Sequence, residues 1–475
     1  MSPRPRCRPL LDGWIAAPRA AFARLAPLLT ALAVAVPLAT AGPLLAADPT
    51  ADVERERWTQ WGGPDQSFRA SSADLLTSWP ESGPPELWSR DLGEGYSGIV
   101  AADGRLYTLY RGAPPKAANG EETADGEFEV VVALDAADGA LLWHHAYRSD
   151  PREEHVSQFG RGPRATPVLA EGRLVTIGIN GLLHAFNAAS GELLWSHDLW
   201  TDFGGNFLNH GYSSSPIHHD GKIITMVGGD GSGLVAFDLK TGKLAWKSLD
   251  LDNSYSAPRL LTIDGEEQIV AFMAREMVGV DPSDGSLLWS FPIENQWLQN
   301  INLPVLVDGE YLFVSSLQAG SHGLRFARDE AGEVTFEKIW STRKIQFYHV
   351  TSVLDGHHVY GTTGGGTGPA FFAAIDVKTG EIAWRKRGFA KSNVLWADGH
   401  LYVLDEDGKL FLTKATPDDL EVVSEAQVLE RVAWTVPTLV DQTLFLRDQQ
   451  RIVALDLAAD GQSAPANSPH GATSR

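Results

Sequence analysis

The chain has 475 residues, with 39 Lys and Arg against 60 Asp and Glu, a net charge of −21. This surplus of acid repels phosphate backbones and argues against nucleic acid as a partner. The one cysteine is Cys7, so the rest of the chain can form no disulfide, no thiolate metal site and no Cys-x-x-Cys-His haem attachment.

Residues 1–47 begin with Arg4, Arg6, Arg8, Arg19 and Arg24, continue through an apolar run from Leu25 to Leu45, and end in Ala46-Ala47. A basic start, apolar middle and small-residue end predict a secretory signal peptide cleaved near Ala47, with Ala41 as second choice, and hence a periplasmic or secreted protein. Pro37 and Pro43 weigh against a retained anchor, and no other stretch approaches the roughly 20 apolar residues of a membrane span. Cys7 precedes the apolar run, whereas a lipid-bearing cysteine would follow it. Residues 48–85, rich in Trp, Pro, Gly and Ser after Trp58, read as an irregular N-terminal strap. Residues 86–457 read as strands and turns throughout. The tail 458–475, mostly Ala, Ser, Pro and Gly, has little to bury and is expected to be disordered.

Between Glu86 and Leu457 one unit recurs. The copies are Ala133-Leu134-Asp135…Gly139…Trp143, Ala185-Phe186-Asn187…Gly191…Trp195, Ala236-Phe237-Asp238…Gly242…Trp246, Gly279-Val280-Asp281…Gly285…Trp289 and Ala374-Ile375-Asp376…Gly380…Trp384. A unit repeated at this interval signals a propeller or related array. Pairs such as Asp103-Gly104, Glu171-Gly172 and Asp220-Gly221 suit two-residue hairpins, because both residues tolerate positive φ. The span from Asp to Gly inside the unit fits a type I turn closed by a glycine bulge. Four antiparallel strands per unit make one blade. Trp340 ends a divergent blade with a longer hairpin at 329–332, and 399–428 reads as a blade without the Trp. Trp434–Leu457 is a partial blade whose missing outer strand Leu87-Trp88-Ser89-Arg90 can supply. The expected fold is therefore all-β: an eight-bladed β-propeller of four-stranded antiparallel blades at 86–457, closed by N- and C-terminal strands in one sheet, which hides the edges.

Trp143, Trp195, Trp246, Trp289 and Trp384 read as structural wedges between blades, each burying a large ring while its indole N–H reaches a neighbouring carbonyl. Thr166-Pro167, Ser215-Pro216, Ala257-Pro258, Leu303-Pro304 and Val436-Pro437 mark innermost strands, where proline is tolerated if no ladder N–H is needed. The residues preceding them ring one mouth of the axis. Tyr96, Arg164, His210, Tyr212, Tyr255, Asn302, His349, Lys391, Asn393, Arg431 and Trp434 are the candidate ligand-binding set, flanked by Arg161, Asn253, Asn300 and Tyr348. Aromatic faces, amides and cations at one opening suit an anionic or aromatic ligand.

Other signals are weaker. In His144-His145, His218-His219 and His357-His358 adjacent strand residues face opposite ways, so no pair chelates a metal by itself. The glycine-rich runs 228–233 and 364–368 lack the Lys-Ser/Thr and following helix of a P-loop. Asp405-Glu406-Asp407-Gly408 reads as a hairpin turn rather than a calcium loop. No Gly-x-Ser-x-Gly elbow occurs.

The unit Ala-x-Asp-x-x-x-Gly-x-x-x-Trp resembles the tryptophan-docking motif of pyrroloquinoline quinone (PQQ)-type propellers. That group includes quinoprotein alcohol dehydrogenases and the propeller lipoprotein BamB of the outer-membrane assembly machinery. Trp58-Thr59-Gln60-Trp61-Gly62-Gly63-Pro64 is similar to the opening of secreted PQQ-like repeat proteins. In the catalytic members the resemblance implies PQQ in the axial mouth, between a stacking Trp and a vicinal disulfide. A calcium ion is held there by Glu, Asn and Asp, and an Asp serves as base. This chain has no adjacent cysteines. The expectation is a non-catalytic binding or interaction scaffold, BamB-like by fold analogy. It would take a protein partner or small-molecule ligand at a propeller face, with no cofactor and no metal, as a monomer. The alternatives are a quinoprotein dehydrogenase using PQQ with calcium, and a sugar- or metabolite-binding propeller.

Overall fold

The computed structural model describes residues 57–115 and 127–459, apart from 151, 153, 154, 207, 294, 333 and 365–368. The expected signal peptide, the start of the strap, nearly all of the tail and most of the glycine-rich run 364–368 lie outside the described residues.

Eight four-stranded antiparallel sheets form a ring. Blade 2 shows the pattern: Val168–Ala170 is innermost, then Arg173–Ile177, Leu182–Asn187 and Leu193–Asp198 at the rim. Blades 1 to 7 span 100–148, 168–198, 217–248, 259–292, 305–342, 353–386 and 392–427. In blade 8 the strand Glu86–Asp91 lies antiparallel on Arg451–Asp456, so the first and last strands of the described residues share a sheet. The single α-helix among the described residues is Leu199–Phe203, started by Asp198, whose Oδ1 accepts from the N–H groups of Trp200 and Thr201.

Local chemistry accounts for the strand order. Asp103 and Gly104 have φ of 53° and 72°, and Asp220 and Gly221 45° and 68°, the paired left-handed geometry of tight hairpin turns. In the repeated unit Gly139 donates to Asp135 O at 2.9 Å, and the strand register slips between Ala133 and Leu134. The same slip recurs in blades 2, 3, 4 and 6, as a glycine bulge requires.

The core lies between sheets. One apolar cluster joins Val175, Ile177 and Ala185 of blade 2 to Ile223, Val235 and Phe237 of blade 3; the next joins Ile224, Ala236 and Trp246 of blade 3 to Ile269 and Val278 of blade 4. Each sheet is thus buried on both faces, and its middle strands read as continuous apolar runs.

Two concentric sets of contacts hold the joints. In the outer set, an indole of one blade lies against the turn of the next, and Trp88, Trp143, Trp195, Trp246 and Trp340 each cover a turn glycine there. Trp88 donates to Ala136 O at 3.0 Å, Trp143 to Ala188 O at 2.9 Å, Trp195 to Leu239 O at 3.0 Å, and Trp246 to Pro282 O at 3.1 Å. Trp340 and Trp384 donate to Val377 O and Thr416 O at 2.7 and 2.8 Å. A β-carbon at Gly285 would stand 2.5 Å from the Trp246 ring, and one at Gly242 2.6 Å from Trp195. Trp289 departs from the expected pattern. Its N–H bonds Gln268 Oε1 of its own blade at 2.7 Å, and its ring meets Phe336 of blade 5 edge-on at 4.6 Å. Blade 5 has the long hairpin between Gly320–Arg328 and Val334–Thr342, so the short turn with its carbonyl and glycine is missing there.

The inner set runs round the axis. Thr435 Oγ1 donates to Tyr96 O, Ser97 Oγ to Ala165 O, and Thr166 N to Ser215 Oγ. Ser213 Oγ donates to Tyr255 O, Ser256 Oγ to Asn302 O, and Asn302 Nδ2 to Val350 O. Thr351 N donates to Asn393 Oδ1, and Asn393 Nδ2 to Trp434 O. Each bond joins one blade to the next. At the closing joint the fully buried Arg447 of blade 8 adds bonds to Gly95 O, Ser97 O and Leu109 O and to Thr108 Oγ1 of blade 1, at 2.8–3.1 Å.

The N-terminal segment crosses the far end of the axis. Trp58 pairs with Ala101, Leu169 N donates to Thr59 O, Gln66 Nε2 donates to Pro258 O, and Ala70 N donates to Trp396 O. These partners lie on innermost strands or, for Pro258, just before one. Farther along, Leu75 and Trp79 are buried in a cluster shared by blades 7, 8 and 1, with the Trp79 ring 6.3 Å from Tyr402 of blade 7. Blade 7 carries no docking Trp on its outer strand Leu420–Gln427, and Trp79 fills that seam.

Two outcomes test these contacts by urea unfolding. Trp246→Ala should cost about 3–5 kcal/mol and Gly285→Ala about 1 kcal/mol or more. The double variant should cost less than the sum, because the added methyl then meets no indole; strict additivity would contradict the docking. Trp79→Ala should cost about 3 kcal/mol, as at a docking position, whereas a loss under about 0.5 kcal/mol, typical of an uninvolved surface site, would show that the seam does not need it.

Candidate functional site

The loops entering the innermost strands converge on an axial cavity of about 520 Å³. Proline stands immediately before the innermost strands of blades 2, 3, 4, 5 and 8, where its missing N–H costs no ladder bond. Next to the strands the wall is small and hydroxylic: Gly98, Thr166, Ser215, Thr351 and Thr435. Gly98 has no room for a side chain, since a β-carbon there would meet Thr166 Oγ1 at 2.4 Å. Trp61, from the segment crossing the far end, forms the floor and packs edge-on against Phe68 at 5.5 Å. The cavity is therefore open at one mouth and closed at the other.

Toward the mouth the wall is aromatic. Trp434 lies 5.0 Å from Tyr96, 5.9 Å from Phe159 and 6.1 Å from His349, centroid to centroid. His349 stacks on Tyr348 at 4.1 Å, while His210 bridges Phe159 and Tyr255 at 5.2 and 5.9 Å. Trp297, 54% exposed, stands at the rim. Arg164 is set among these rings, 5.5 Å from the Tyr96 centroid. Its Nε donates to His210 O at 2.9 Å and its Nη2 to Phe159 O and Gly160 O at 3.2 and 3.0 Å.

The titratable groups are held neutral. Burial, then the Lys391, Arg164 and His210 charges, pushes His349 down to about 3. Burial and Arg164 likewise lower His210. Burial raises Tyr96, lifts Tyr255 to about 12 and raises Tyr348. Among the described lining residues Arg164 is the sole group with a full charge at neutral pH, and no carboxylate lines the wall.

Of the expected mouth residues, Tyr96, Arg164, His210, Tyr255, His349, Asn393 and Trp434 line the cavity. Four do not. Tyr212 is fully buried beneath the wall, its hydroxyl bonded to Thr225 Oγ1 and Met226 O, because Gly211 at φ 82° turns the chain inward there. Asn302 is spent on the inner set of blade-to-blade bonds. Lys391 pairs with Glu406 at 2.9 Å and lies 5.3 Å over the Trp434 ring. Arg431 belongs to a separate polar recess with Asp91, Glu430, Asp448 and Arg451, its N–H held by Asp448. Of the three cations in the expected set, Arg164 lines the cavity, while Lys391 and Arg431 are not among its lining residues. Phe159, Trp297 and Trp61 were not among the expected residues. Phe159 sits in the short 3-10 turn Ser157–Phe159, and Trp61 enters from the opposite end, so spacing to an innermost strand reveals neither.

The depressed histidine sets a pH dependence. Unfolded, His349 takes up a proton as pH falls through about 6.5; folded, it does so only near 3. Protonation thus favours the unfolded chain, and stability falls from about pH 6.5 toward 3. His349→Gln should remove about 1–2 kcal/mol of the stability lost between pH 7 and 4.5, read from urea midpoints at both pH values. An unchanged difference between the two would contradict the burial of a neutral imidazole.

Relatives fall into two functional groups. Quinohemoprotein alcohol dehydrogenase ADH-IIG of Pseudomonas putida is 30% identical over 237 residues, 46% of this chain but 30% of that protein. Outer membrane protein assembly factor BamB of Yersinia pestis is 22% identical over 291 residues, 57% of this chain and 68% of that protein. Among solved structures, BamB from Moraxella catarrhalis superposes with a TM-score of 0.52 at 14% identity, over 79% of this chain and all of that one. The ADHIIG enzyme from Pseudomonas putida HK5 gives 0.56 at 15% identity, over 90% and 83%. At these identities the structural likeness speaks to the fold. A family model described as outer membrane protein assembly factor BamB matches residues 127–386, more than half of the chain, and the protein belongs to this family of PQQ-like propellers.

Proposed function

We propose that this protein is a non-catalytic binding propeller that works outside the cytoplasm and takes a small ligand into the axial cavity. The observation that carries this reading is the character of the wall: a closed-ended pocket of aromatic rings around one guanidinium, with its titratable groups held neutral. Pockets of this size, apolar with a few placed polar groups, are the usual form of small-molecule sites. Efficient acid–base catalysis wants a group with a pKa near the working pH. His349 at about 3 and Tyr255 at about 12 stand far from it on either side. The leader-like segment 1–47 and the likeness to the outer membrane protein assembly factor BamB support the compartment.

The quinoprotein relatives raise a second reading, PQQ with calcium in the same mouth. Trp434 could stack on a quinone, but the donors for the metal do not fit. Calcium takes about six to eight oxygen ligands, carboxylates prominent among them. The described lining holds no carboxylate, and the Asn393 amide is spent on Thr351 N and Trp434 O. The wall therefore does not fit a calcium-bound quinone.

Incubation with PQQ and calcium, followed by dye reduction with primary alcohols, separates the two readings. The binding reading predicts no turnover above the quinone alone; alcohol-dependent turnover lost in Trp434→Ala would overturn it. A thermal-shift screen of small aromatic compounds should find ligands that stabilise the wild type, since binding to the folded state raises the midpoint.

A further inference from the structure

We infer that the axial site selects an aromatic monoanion, and that it does so without a divalent cation. This rests on the binding reading above and names its ligand class. The charges around the mouth can be followed one by one. Lys391 Nζ is bonded to Glu406 Oε2 at 2.9 Å, and the same oxygen accepts from Trp434 Nε1 at 2.9 Å, so this ammonium is already neutralised. Arg161 is paired with Glu127 at 3.3 Å. Arg164 differs: its bonds go to three backbone carbonyls, and Glu94, the one carboxylate that acts on it through space, spends Oε1 on Arg161 N at 2.7 Å and forms no ion pair with it. Carbonyls fix the orientation of a guanidinium without cancelling its charge.

A partly desolvated cation of this kind favours an anion, through a charge-assisted hydrogen bond of the sort guanidinium forms with carboxylates. Nε and Nη2 are committed to the loop, which leaves Nη1 as the donor for a ligand oxygen. One free donor on a guanidinium that no ion pair satisfies matches one anionic group. A second or third negative charge on the ligand would be buried without a partner cation, which costs more than it returns. The body of the ligand is set by the walls: Trp434 and Tyr96 pack on each other with centroids 5.0 Å apart, and His349 stacks on Tyr348, so the lining presents aromatic surface beside hydroxyl groups. Flat aromatic surface satisfies these faces better than a polyol would. Since Arg164 supplies the positive charge itself, no metal ion is needed to balance the anion.

Isothermal titration of the full chain in EDTA tests this with four probes: 2-naphthoate, 2-naphthylmethanol, naphthalene-2,6-dicarboxylate and PQQ. One charge-assisted bond predicts that naphthoate binds roughly ten- to hundredfold more tightly than the neutral alcohol. The dicarboxylate and PQQ should both bind more weakly than naphthoate, and calcium should change none of these. Arg164→Gln should bring naphthoate down to the level of the alcohol, and Arg164→Lys should keep part of the preference. If the glutamine variant fails to fold, the comparison of the four probes on the wild type still decides. Equal binding of alcohol and naphthoate, both lost in Trp434→Ala, would overturn the charge selectivity while leaving the axial binding site in place. Tightest binding of PQQ in calcium would overturn both the selectivity and the metal independence. No heat with any probe would overturn the inference together with the binding reading.

Discussion

An indole lying on a glycine of the neighbouring sheet is the contact on which this molecule depends. The glycine of each repeat adopts a backbone that side chains resist, near φ 70°, and it also vacates the space that the previous blade's Trp occupies. Its partner is the Trp one blade earlier, not the Trp that follows it in sequence. The repeated unit thus carries half of two different joints. Register is imposed from neighbour to neighbour at every joint but those after blades 4 and 7, and Trp88, on the strand that closes blade 8, meets the turn of blade 1.

A second circle of side-chain-to-backbone bonds lies nearer the axis, and its consequence is functional. Because Ser97, Thr166, Ser256, Asn302, Asn393 and Thr435 fasten each entry loop to the next, the mouth is a rigid frame. Residues projecting from that frame can be chosen for what they bind. Here they are rings and one guanidinium, in a chain whose overall charge is −21. The acidic exterior and the cationic pocket are separate features. The first keeps the protein soluble, and the second acts at short range inside a low-dielectric recess. The strap completes the site by closing the far end with Trp61, and it repairs the one joint that has no docking Trp by inserting Trp79.

The fold was legible because packing dictates it. Asp-Gly pairs, the turn glycines and the recurring Trp each have one structural use, and all point to the same ring. The departures occur where a neighbour's local chemistry changes: Trp289 turns back to Gln268 because blade 5 lacks the short turn. The site was legible only in part. Position before an innermost strand places a residue near the mouth, but not which way its side chain faces. Tyr255, His349 and Trp434 reach the cavity, whereas Tyr212 drops beneath the wall and Arg431 stays over a separate recess. Trp61 and Phe159 come from an irregular segment and a three-residue turn, and no period reports on such places. Asn302 misled for a physical reason: an amide that could greet a ligand serves equally well as a staple between backbones.

Hydrogen exchange of the indole N–H protons, followed by NMR, tests the docked ring most directly. If the indoles of Trp88, Trp143, Trp195, Trp246, Trp340 and Trp384 are bonded across joints as described, their protons should exchange slowly and together, at the rate of global unfolding. The exposed indole of Trp297 should exchange at once. Fast, mutually independent exchange of the six would contradict a propeller built on these contacts.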